Sequence, residues 1–296
     1  MTTKPKGYQL KGVRKMHHFK GRVLLADEMG LGKTFQSLLY AAENKTARPI
    51  VVVCPAGLKH NWRREARIHL NMGAEILSGR KVPRAGISNK RQLIIINYDI
   101  LPGDWLKYLK ALKPQIVMVD ECHYISNPDS DRSKAVRALC KGVPHVLCLS
   151  GTAMTSRPAQ LYPALRILRP DVFSSWKLFG KRYCGPRLTR WGWEYKGATH
   201  LKELHELLKK TCMIRRLKAD VLAELPKNRR IKVYLSITNR KEYNEALNDF
   251  AKWLKKKKRG KAAHAQKLVK RGYLKRLLCE LKMKSVFEWV DSFLMN

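Results

Sequence analysis

The stretch Val23-Leu24-Leu25-Ala26-Asp27-Glu28-Met29-Gly30-Leu31-Gly32-Lys33-Thr34 decides the fold of this chain. An apolar run passes into a glycine-rich turn, and Gly-Lys-Thr opens a helical pattern, as in a phosphate-binding loop. Gly30 and Gly32 let the backbone turn its N–H groups towards phosphate oxygens, and the helix N-terminus adds partial positive charge. Lys33 would reach the β- and γ-phosphates, and Thr34 would offer its hydroxyl to Mg²⁺. The stretch therefore predicts a nucleoside triphosphate site at the end of a strand.

The charge balance of the chain is strongly basic. Its 296 residues include 61 Lys and Arg against 23 Asp and Glu, a formal net charge of +38 at pH 7. Such an excess predicts a polyanionic partner, most simply nucleic acid, with salt-sensitive binding. Solvated surface charge without a partner is the alternative. No apolar run approaches the ~18 residues needed to cross a membrane, and no lipidation signal is present, so no membrane partner is expected.

The first half of the chain alternates short apolar runs with helical patterns. Continuous, β-branched runs predict strands that are covered on both faces, as in a parallel sheet. The predicted strands are Arg22–Ala26, Ile50–Cys54, Leu93–Asn97, Ile116–Asp120 and His145–Leu149. The predicted helices are Lys33–Ala42, Leu58–Leu70, Trp105–Leu112 and Ser133–Cys140. The alternation indicates a doubly wound α/β fold, in which ligands bind at the carboxyl ends of the strands.

The pattern changes after Thr155. Helices are predicted at Pro158–Leu168 and Leu201–Thr211, a returning last strand at Arg229–Ser236, and basic amphipathic helices between Ala251 and Lys284. The expected domain organisation is an α/β lobe at 1–157, an appended helical and aromatic subdomain at 158–228, a strand and helix at 229–250, and a basic helical segment at 251–296.

A second chemical motif is Ile116-Val117-Met118-Val119-Asp120-Glu121-Cys122-His123. An apolar strand ends here in two carboxylates, at the sheet edge where the phosphate loop is expected. Asp120 would hold the Mg²⁺ that bridges the phosphates, and Glu121 would polarise the water that attacks the γ-phosphate. His123 would relay the nucleotide state to neighbouring loops. An ordinary acidic strand end is the alternative for this motif taken alone.

A third motif is Leu147-Cys148-Leu149-Ser150-Gly151-Thr152-Ala153-Met154. A strand that runs into Ser150-Gly151-Thr152 places two hydroxyls beside the carboxylates. A simple Ser-Gly turn is the alternative. A P-loop kinase or GTPase would account for the first two motifs but does not use this third one.

Taken together, these motifs resemble the Swi/Snf-type, helicase-like DNA translocases of superfamily two. In that family Asp27 is usual where the general phosphate loop has glycine. The resemblance implies a RecA-like lobe with ATP and Mg²⁺ as cofactors, and catalytic roles for Lys33, Asp120 and Glu121. It also implies Thr34 and Asp120 as metal ligands, and His123, Ser150, Gly151 and Thr152 as coupling residues. The nucleotide would be held by Tyr8, Gln9, Met29, Gly30, Leu31, Gly32, Lys33 and Thr34, with Gln9 contacting the adenine. DNA would be contacted by Pro55, Ala56, Asn97, Tyr98, Arg215 and Arg216, and Trp62 follows Pro55 at a distance familiar in this family.

Segments further along resemble the annealing-helicase branch of this family, whose members act on branched and forked DNA. They are Ser156–Tyr162, Arg182–Cys184, Trp191–Tyr195 and Met213–Val221. Without the resemblance, Trp191 and Trp193 are equally well explained as packing aromatics or as base-stacking residues.

The family's motor has two RecA-like lobes, and the second supplies arginine fingers. We find no matching arginine-containing box between Asn228 and Asn296, so we expect the first lobe alone. The expected function is an ATP-dependent translocase lobe on double-stranded or forked DNA, with a protein partner carrying the second lobe, or a truncated product. The alternative is a non-catalytic DNA-binding or regulatory protein that retains a nucleotide site.

The expected location follows from the composition and the motifs. Seven scattered cysteines without a C-x-x-C pair predict neither a zinc site nor a disulfide frame, and they fit a reducing compartment. We expect a cytoplasmic protein, associated with a nucleoid or a phage-infected cell, or a nuclear protein if the source is eukaryotic.

Overall fold

A computed structural model describes residues 3–83, 93–152, 157–190, 192–222, 232–250, 252 and 267–295. The chain divides into two compact units, Met1–Leu225 and Pro226–Asn296. The finer domain boundaries expected from the sequence, at 157/158 and beyond, stay predictions.

The first unit is built on a seven-stranded sheet whose neighbouring strands are all parallel. Its strands are β1 (Arg22–Leu25), β2 (Ile50–Cys54), β3 (Ala74–Ile76), β4 (Leu93–Asn97), β5 (Ile116–Asp120), β6 (His145–Leu149) and β9 (Met213–Ile214). They lie in the order β3-β4-β2-β5-β6-β1-β9. Every residue of β2, β4 and β5 is buried, as the continuous apolar runs predict. The α/β class with a parallel sheet is therefore confirmed.

Helices cover both faces of this sheet. They are α1 (Gly7–His18), α2 (Lys33–Glu43), α3 (Lys59–Leu70), α4 (Asp104–Ala111), α5 (Asp131–Cys140), α6 (Tyr162–Leu168), α7 (Trp176–Tyr183), α8 (Leu201–Thr211) and the short α9 (Lys218–Val221). Side chains alternate between faces along a strand, so Val51 and Val53 join one hydrophobic cluster while Ile50 and Val52 join the other. Helices α1 to α3 pack on the second face, and α4 to α8 pack on the first.

The segment between β6 and β9 forms a small layer of helices and aromatic rings. It contains an antiparallel hairpin of β7 (Arg187–Thr189) and β8 (Gly192–Glu194). Trp176 lies 5.1 Å from Tyr162 and 5.6 Å from Tyr195 between ring centroids. Predicted helices thus occur at 158–168 and 201–211, although the first is a 3₁₀ turn followed by α6.

The structure differs from the sequence predictions at several elements. Helix α1 and strand β3 were not predicted, and the sheet edge beside β1 is occupied by the two residues of β9. The predicted last strand Arg229–Ser236 is wrong where the structure describes it, because residues 232–236 have no strand conformation and Tyr234 is 93% exposed. Residues 229–231 lie outside the described part of the chain.

The second unit contains α10 (Arg240–Asn248) and the long α11 (Lys267–Met295). Ala246, Phe250, Leu277 and Leu281 form its small hydrophobic core. The predicted basic helices between Ala251 and Lys284 are one continuous helix from Lys267, and residues 253–266 are not described. Across the described residues, no helix combines the length and apolar character that a membrane span requires.

Candidate nucleotide-binding site

The phosphate loop connects β1 to α2 and has the backbone that its glycines predict. Gly30 and Gly32 have φ angles of 86° and 69°, a region that residues with a Cβ rarely adopt. Gly32 is the residue before the first turn of α2, so Lys33 opens the helix and Thr34 follows, half-buried. The Lys33 ammonium donates to the backbone oxygens of Asp27, at 2.9 Å, and Glu28, at 3.4 Å. The loop therefore presents a lysine at a helix N-terminus, as an anion site requires.

Lys33 lies in the electrostatic field of the carboxylates at the end of β5. Burial lowers the pKa of Lys33, and the nearby Glu121, Asp27 and Asp120 oppose this by favouring the charged ammonium. In the sheet, Leu149 of β6 pairs with both Leu25 of β1 and Asp120 of β5. One strand therefore separates the phosphate loop from the carboxylates, which brings the two predicted halves of the site together.

Asp27 is explained by partners that the sequence does not reveal. Its side chain is fully buried and pairs with the Arg216 guanidinium, which donates to both carboxylate oxygens. Gln36 of α2 donates to Asp27 Oδ2 at 3.1 Å and accepts from Arg216 at 2.6 Å. Because a buried carboxylate needs such partners, Asp27 fixes the loop to the segment that follows β9.

The predicted adenine-reading residues lie against this loop. Gln9 is buried, accepts from the Lys6 N–H at 2.9 Å and donates to the Leu31 oxygen at 3.5 Å. A Cβ built on Gly32 would lie 2.6 Å from Gln9 Nε2, so the glycine allows this close approach. The Tyr8 hydroxyl also donates to the Leu31 oxygen, at 3.3 Å. Tyr8 and Gln9 are therefore next to the phosphate loop, while Met29 at its apex is 63% exposed.

Asp120 is buried and held from three directions. Trp62 Nε1 donates to Oδ2 at 2.7 Å, the Glu121 N–H donates to Oδ1 at 3.0 Å, and the Tyr98 hydroxyl donates to the backbone oxygen. Burial raises the pKa of Asp120, the Trp62 hydrogen bond opposes that rise, and the neighbouring Glu121 adds to it. The carboxylate oxygens, held in place in this way, still have lone pairs available. Such hard oxygen atoms are the ligands that Mg²⁺ prefers.

Glu121 has an unusual backbone. Its φ of 51° is in the left-handed region, which costs free energy for a residue with a side chain. The Ser150 hydroxyl donates to Glu121 Oε2 at 3.3 Å, and His123 Nδ1 lies 3.1 Å from the same oxygen. His123 and Ser150 are also 3.3 Å apart, and the Thr152 N–H donates to the Ser150 hydroxyl at 3.2 Å. The structure therefore brings together the predicted catalytic carboxylate and the predicted coupling residues.

Gly151 lies in the turn after β6, against the phosphate loop. A Cβ built on it would lie 2.6 Å from the Met29 side chain and 3.4 Å from Lys33 Nζ. The turn after β6 thus touches the phosphate loop as well as Glu121, so the three chemical motifs meet at one edge of the sheet.

The residues predicted to contact DNA have different environments. Pro55 is partly exposed and Ala56 exposed, after the end of β2. Asn97 is buried and accepts from Lys59 at 3.1 Å, while Tyr98 is buried against Asp120. Their DNA contacts stay predictions.

The two arginines of that predicted set lie beside the nucleotide loop. Arg215 donates to the Ala26 oxygen at 3.0 Å and lines a cavity of about 270 Å³ with Gly151 and Thr152. Arg216 makes the Asp27 ion pair, and its Cζ lies 5.3 Å from the Tyr8 ring centroid. Sequence reasoning missed this arrangement, because a basic pair in a basic chain is most simply assigned to DNA.

Sequence reasoning also missed Gln36, Lys218 and the role of Trp62. The Lys218 N–H donates to Glu28 Oε2 at 2.7 Å, which ties the start of α9 to the phosphate loop. For Trp62 the sequence indicates only a spacing from Pro55. The one further signal is that a tryptophan, which carries an N–H donor, stands at a core position of α3.

The fold and the site define a class of protein, and comparisons with known proteins agree. Residues 8–283 match the family described as SNF2-related domain, so the chain belongs to that family and is an SNF2-family ATPase domain. Its relatives include the SWI/SNF-related matrix-associated actin-dependent regulator of chromatin subfamily A-like protein 1 of Xenopus tropicalis, 34% identical over 293 residues. Another is the DNA annealing helicase and endonuclease ZRANB3 of Bos taurus, 30% identical over 287 residues.

These relatives are much longer than this chain. The match covers 97% of the chain but 30% of the Xenopus protein, and 93% of the chain but 26% of the Bos protein. Among solved structures, the Sulfolobus solfataricus SWI2/SNF2 ATPase core in complex with dsDNA aligns with a TM-score of 0.65 and 22% identity. That alignment covers 94% of this chain and 58% of the archaeal one, and it supports the RecA-like fold. The Swi/Snf-type resemblance and its annealing-helicase branch are confirmed.

Proposed function

We propose that this chain is the first, ATP-binding lobe of an ATP-dependent translocase or annealing helicase that acts on double-stranded or forked DNA. The observation that carries the proposal is the convergence of Lys33, Asp120 and Glu121 on one edge of the sheet, since β6 alone separates β1 from β5 and the turn after β6 lies against both Lys33 and Glu121. A phosphate loop and an acidic strand end in this relation serve phosphoryl transfer.

Each residue has a proposed part in the reaction. Lys33 binds the β- and γ-phosphates, and the loop N–H groups donate to the remaining phosphate oxygens. Thr34 and Asp120 would hold Mg²⁺, which supplies charge neutralisation on the phosphates. Glu121 orients the attacking water and takes its proton. His123 and Ser150 hold the Glu121 carboxylate in place through the contacts of 3.1 and 3.3 Å at Oε2.

The proposed DNA partner is supported by charge and by the relatives. A net charge of +38 favours binding to a phosphate backbone without sequence readout. The Bos relative is named as a DNA annealing helicase, and the Sulfolobus structure is a complex with dsDNA. The partly exposed Pro55 and the exposed Ala56 are the proposed contacts of this lobe with the DNA backbone.

We further infer that full hydrolysis needs a second lobe, supplied by a partner in trans or by a longer polypeptide. A second lobe would bring the arginine finger, which is worth on the order of 10³–10⁵ in rate in P-loop enzymes. On this proposal the chain alone binds ATP and Mg²⁺ weakly and turns over slowly.

Steady-state ATPase measurements test the proposal. The chain is assayed alone, with forked DNA, and with forked DNA plus a second-lobe protein, and Lys33→Ala is the control in each case. We expect slow turnover until the second lobe is added, and none with Lys33→Ala. Brisk DNA-stimulated turnover by the chain alone would exclude the proposal that full hydrolysis needs a second lobe. DNA binding that persists with no measurable ATP binding would instead support a non-catalytic DNA-binding or regulatory protein.

The proposed location is the nucleus of a eukaryotic cell. The named vertebrate relative is a regulator of chromatin, which favours this option over the cytoplasmic one. Imaging of a tagged chain in its own host cell tests it.

A further inference from the structure

A second lysine lies over the phosphate loop. If Gly30 carried a Cβ, that atom would be 3.1 Å from Lys218 Cε and 3.2 Å from Lys218 Nζ. Lys218 follows β9 and is distant from the loop in sequence, so the fold alone brings it there. Gly30 therefore leaves room for an ammonium group at the apex of the loop.

The position of Lys218 is fixed by the loop itself. Its own N–H donates to Glu28 Oε2 at 2.7 Å, and the Glu28 N–H donates to the Arg216 oxygen at 3.0 Å. Two residues before Lys218, Arg216 pairs with the buried Asp27. The backbone from Arg216 to Lys218 thus follows Asp27 and Glu28, and it holds the lysine beside Gly30.

The ammonium is available for an anion. Among the residues that the structure describes, Lys218 forms no ion pair, although the carboxylate of Glu28 is bound by its backbone N–H. Lys33, by contrast, donates to two loop oxygens. The phosphate loop therefore has two ammonium groups beside it. One belongs to Lys33, at the end of the loop, and the other to Lys218, which follows β9.

We propose that Lys218 is a second phosphate-contacting lysine of the nucleotide site. This inference rests on the proposed function, because it assigns Lys218 to the same triphosphate. The ammonium would donate to a phosphate oxygen of the bound nucleotide, and the Arg216–Asp27 pair would be the positioning element that delivers it. The segment after β9 would then sense whether a nucleotide is bound.

Titration of the full chain with a fluorescent ATP analogue and Mg²⁺ tests this assignment. Lys218→Ala removes the ammonium, Lys218→Arg keeps a cation, and Lys209→Ala removes an exposed lysine of α8 as a matched control. We expect about tenfold weaker binding for Lys218→Ala, the scale of one hydrogen bond between charged groups. We expect a smaller loss for Lys218→Arg and none for Lys209→Ala. Thermal unfolding of each variant checks that the fold is retained.

The outcomes separate this inference from the proposed function. If Lys33→Ala abolishes binding while Lys218→Ala binds like the wild type, the inference is wrong and the nucleotide site stands. If Lys33→Ala also binds like the wild type, the proposed nucleotide site itself is wrong. If Lys218→Ala weakens binding of duplex DNA but leaves the nucleotide affinity unchanged, Lys218 contacts DNA and the inference is overturned.

An independent observation concerns the β7–β8 hairpin. Leu188 and Trp193 are directly opposite each other across the two strands, and they are 65% and 60% exposed. The Thr189 hydroxyl donates to the Gly192 oxygen at 2.8 Å, which closes the end of the hairpin. Tyr195, just beyond β8, packs on Trp176 and fixes the base. The hairpin therefore presents an indole and a leucine to solvent.

The segment that carries this apolar pair is basic. Between residues 187 and 196 the chain has Arg187, Arg190 and Lys196 against one acid, Glu194. Lys196 pairs with Glu194, and Arg187 and Arg157 lie close enough to help lower its pKa. An exposed aromatic ring on a segment rich in cations is an arrangement that unpaired bases and their phosphates bind.

We infer that the hairpin binds unpaired bases of DNA, with Trp193 as the stacking platform. The inference deepens the proposed function, since a fork contains both duplex and unpaired arms. The cations of this segment would contact the backbone of the same DNA strand, which is why DNA rather than an apolar protein surface is the occupant.

Binding of two DNA substrates tests the hairpin. Trp193→Ala is compared with Trp289→Ala, which removes a partly exposed tryptophan of α11. For a fork with single-stranded arms we expect roughly tenfold weaker binding by Trp193→Ala, given what one stacked base contributes. Blunt duplex binding and ATP-analogue binding should be unchanged. An equal loss on both DNAs, or no loss on either, overturns the assignment. A wild-type chain that binds neither DNA would instead contradict the proposed function.

Discussion

At the scale of single residues, Asp120 depends on a tryptophan that sequence reasoning connected only with a DNA motif. Trp62 Nε1 donates to Asp120 Oδ2, and this bond favours the ionised carboxylate against the effect of burial. Groups that hold a metal ligand typically affect metal affinity by 10- to 100-fold when they are removed.

Trp62→Phe tests that dependence, because it keeps one aromatic ring and removes the Nε1 donor together with the rest of the indole, a loss of buried volume that the control below shares. We expect the Mg²⁺ needed for half-maximal binding of an ATP analogue to rise about tenfold. Trp105→Phe is the control, since Trp105 is equally buried but donates to the Gly79 oxygen, away from the site. An identical Mg²⁺ requirement in both variants would show that the Trp62 bond has no part in the site.

For Gly12 we predict a change in stability opposite to the one that helix propensity alone would give. Replacing a helical glycine by alanine ordinarily stabilises by about 1 kcal/mol. In α1, however, a Cβ on Gly12 would overlap Gln36 Oε1 and lie 2.8 Å from Arg216 Nη2, inside the buried Asp27 cluster. We expect Gly12→Ala to destabilise the first unit by about 1–3 kcal/mol.

Gly7→Ala is the matched control in the same helix, because nothing lies within 4 Å of the point that its new Cβ would occupy. We expect it to leave stability unchanged or slightly raised. Urea unfolding of both variants measures the difference, and a stabilised Gly12→Ala would mean that the Asp27 cluster is less closely packed than described.

At the scale of elements, the strands and helices that the sequence predicts correctly are the long ones with a clear hydrophobic pattern. Of the five strands predicted in the first half of the chain, four have the expected bounds and β1 ends one residue earlier, because continuous β-branched runs between turn residues have few other interpretations. Strand β9 has two residues, too few for any period to be read. Arg229–Ser236 had a β-like pattern, but residues 232–236 find no partner strand in the described structure.

The candidate site was predictable where backbone geometry dictates the residue type. Glycines, Lys33 and the two carboxylates are required at fixed offsets from strand ends, so their positions follow from the sequence. The Asp27–Arg216 pair joins residues far apart in the chain, and no local pattern signals such a contact. The same holds for Lys218 over Gly30.

The contact between α7 and α8 gives a prediction of pH dependence. Arg182 and the Tyr183 hydroxyl of α7 both donate to Glu203 of α8, and they lower the pKa of Glu203 from 4.5 to about 2. A carboxylate whose pKa is lowered by folding contributes stability above its unfolded pKa and loses it as the pH falls through the folded value. The contact is exposed, so its contribution is small.

We therefore expect Glu203→Gln to lower the melting temperature slightly at pH 7, and the difference from wild type to shrink as the pH falls from about 4.5 towards 2. Glu206→Gln, on the same helix, reports the effect of losing one exposed charge. Thermal unfolding across this pH range is the measurement, and a difference that grew on acidification would contradict the assigned pair.

At the scale of the whole molecule, charge is the dominant property. With a formal net charge of +38, DNA binding should be driven by the release of counterions from the phosphate backbone. If the chain neutralises 6–10 phosphates, affinity should fall by about 10³–10⁵ between 50 and 200 mM salt. Fluorescence anisotropy with a fixed duplex at several salt concentrations measures the slope, and a flat dependence would show that the charge is not used for DNA.

The edge strand β9 has a consequence for how the chain responds to mechanical force. It pairs with β1 over only two residue pairs, and Arg216 and Lys218 follow it directly. Tension applied to the polypeptide beyond Leu222 would therefore reach Asp27 and Glu28 before it reached the interior strands. Pulling on the segment beyond Leu222 would deform the phosphate loop first, and the residence time of bound nucleotide would depend on the load.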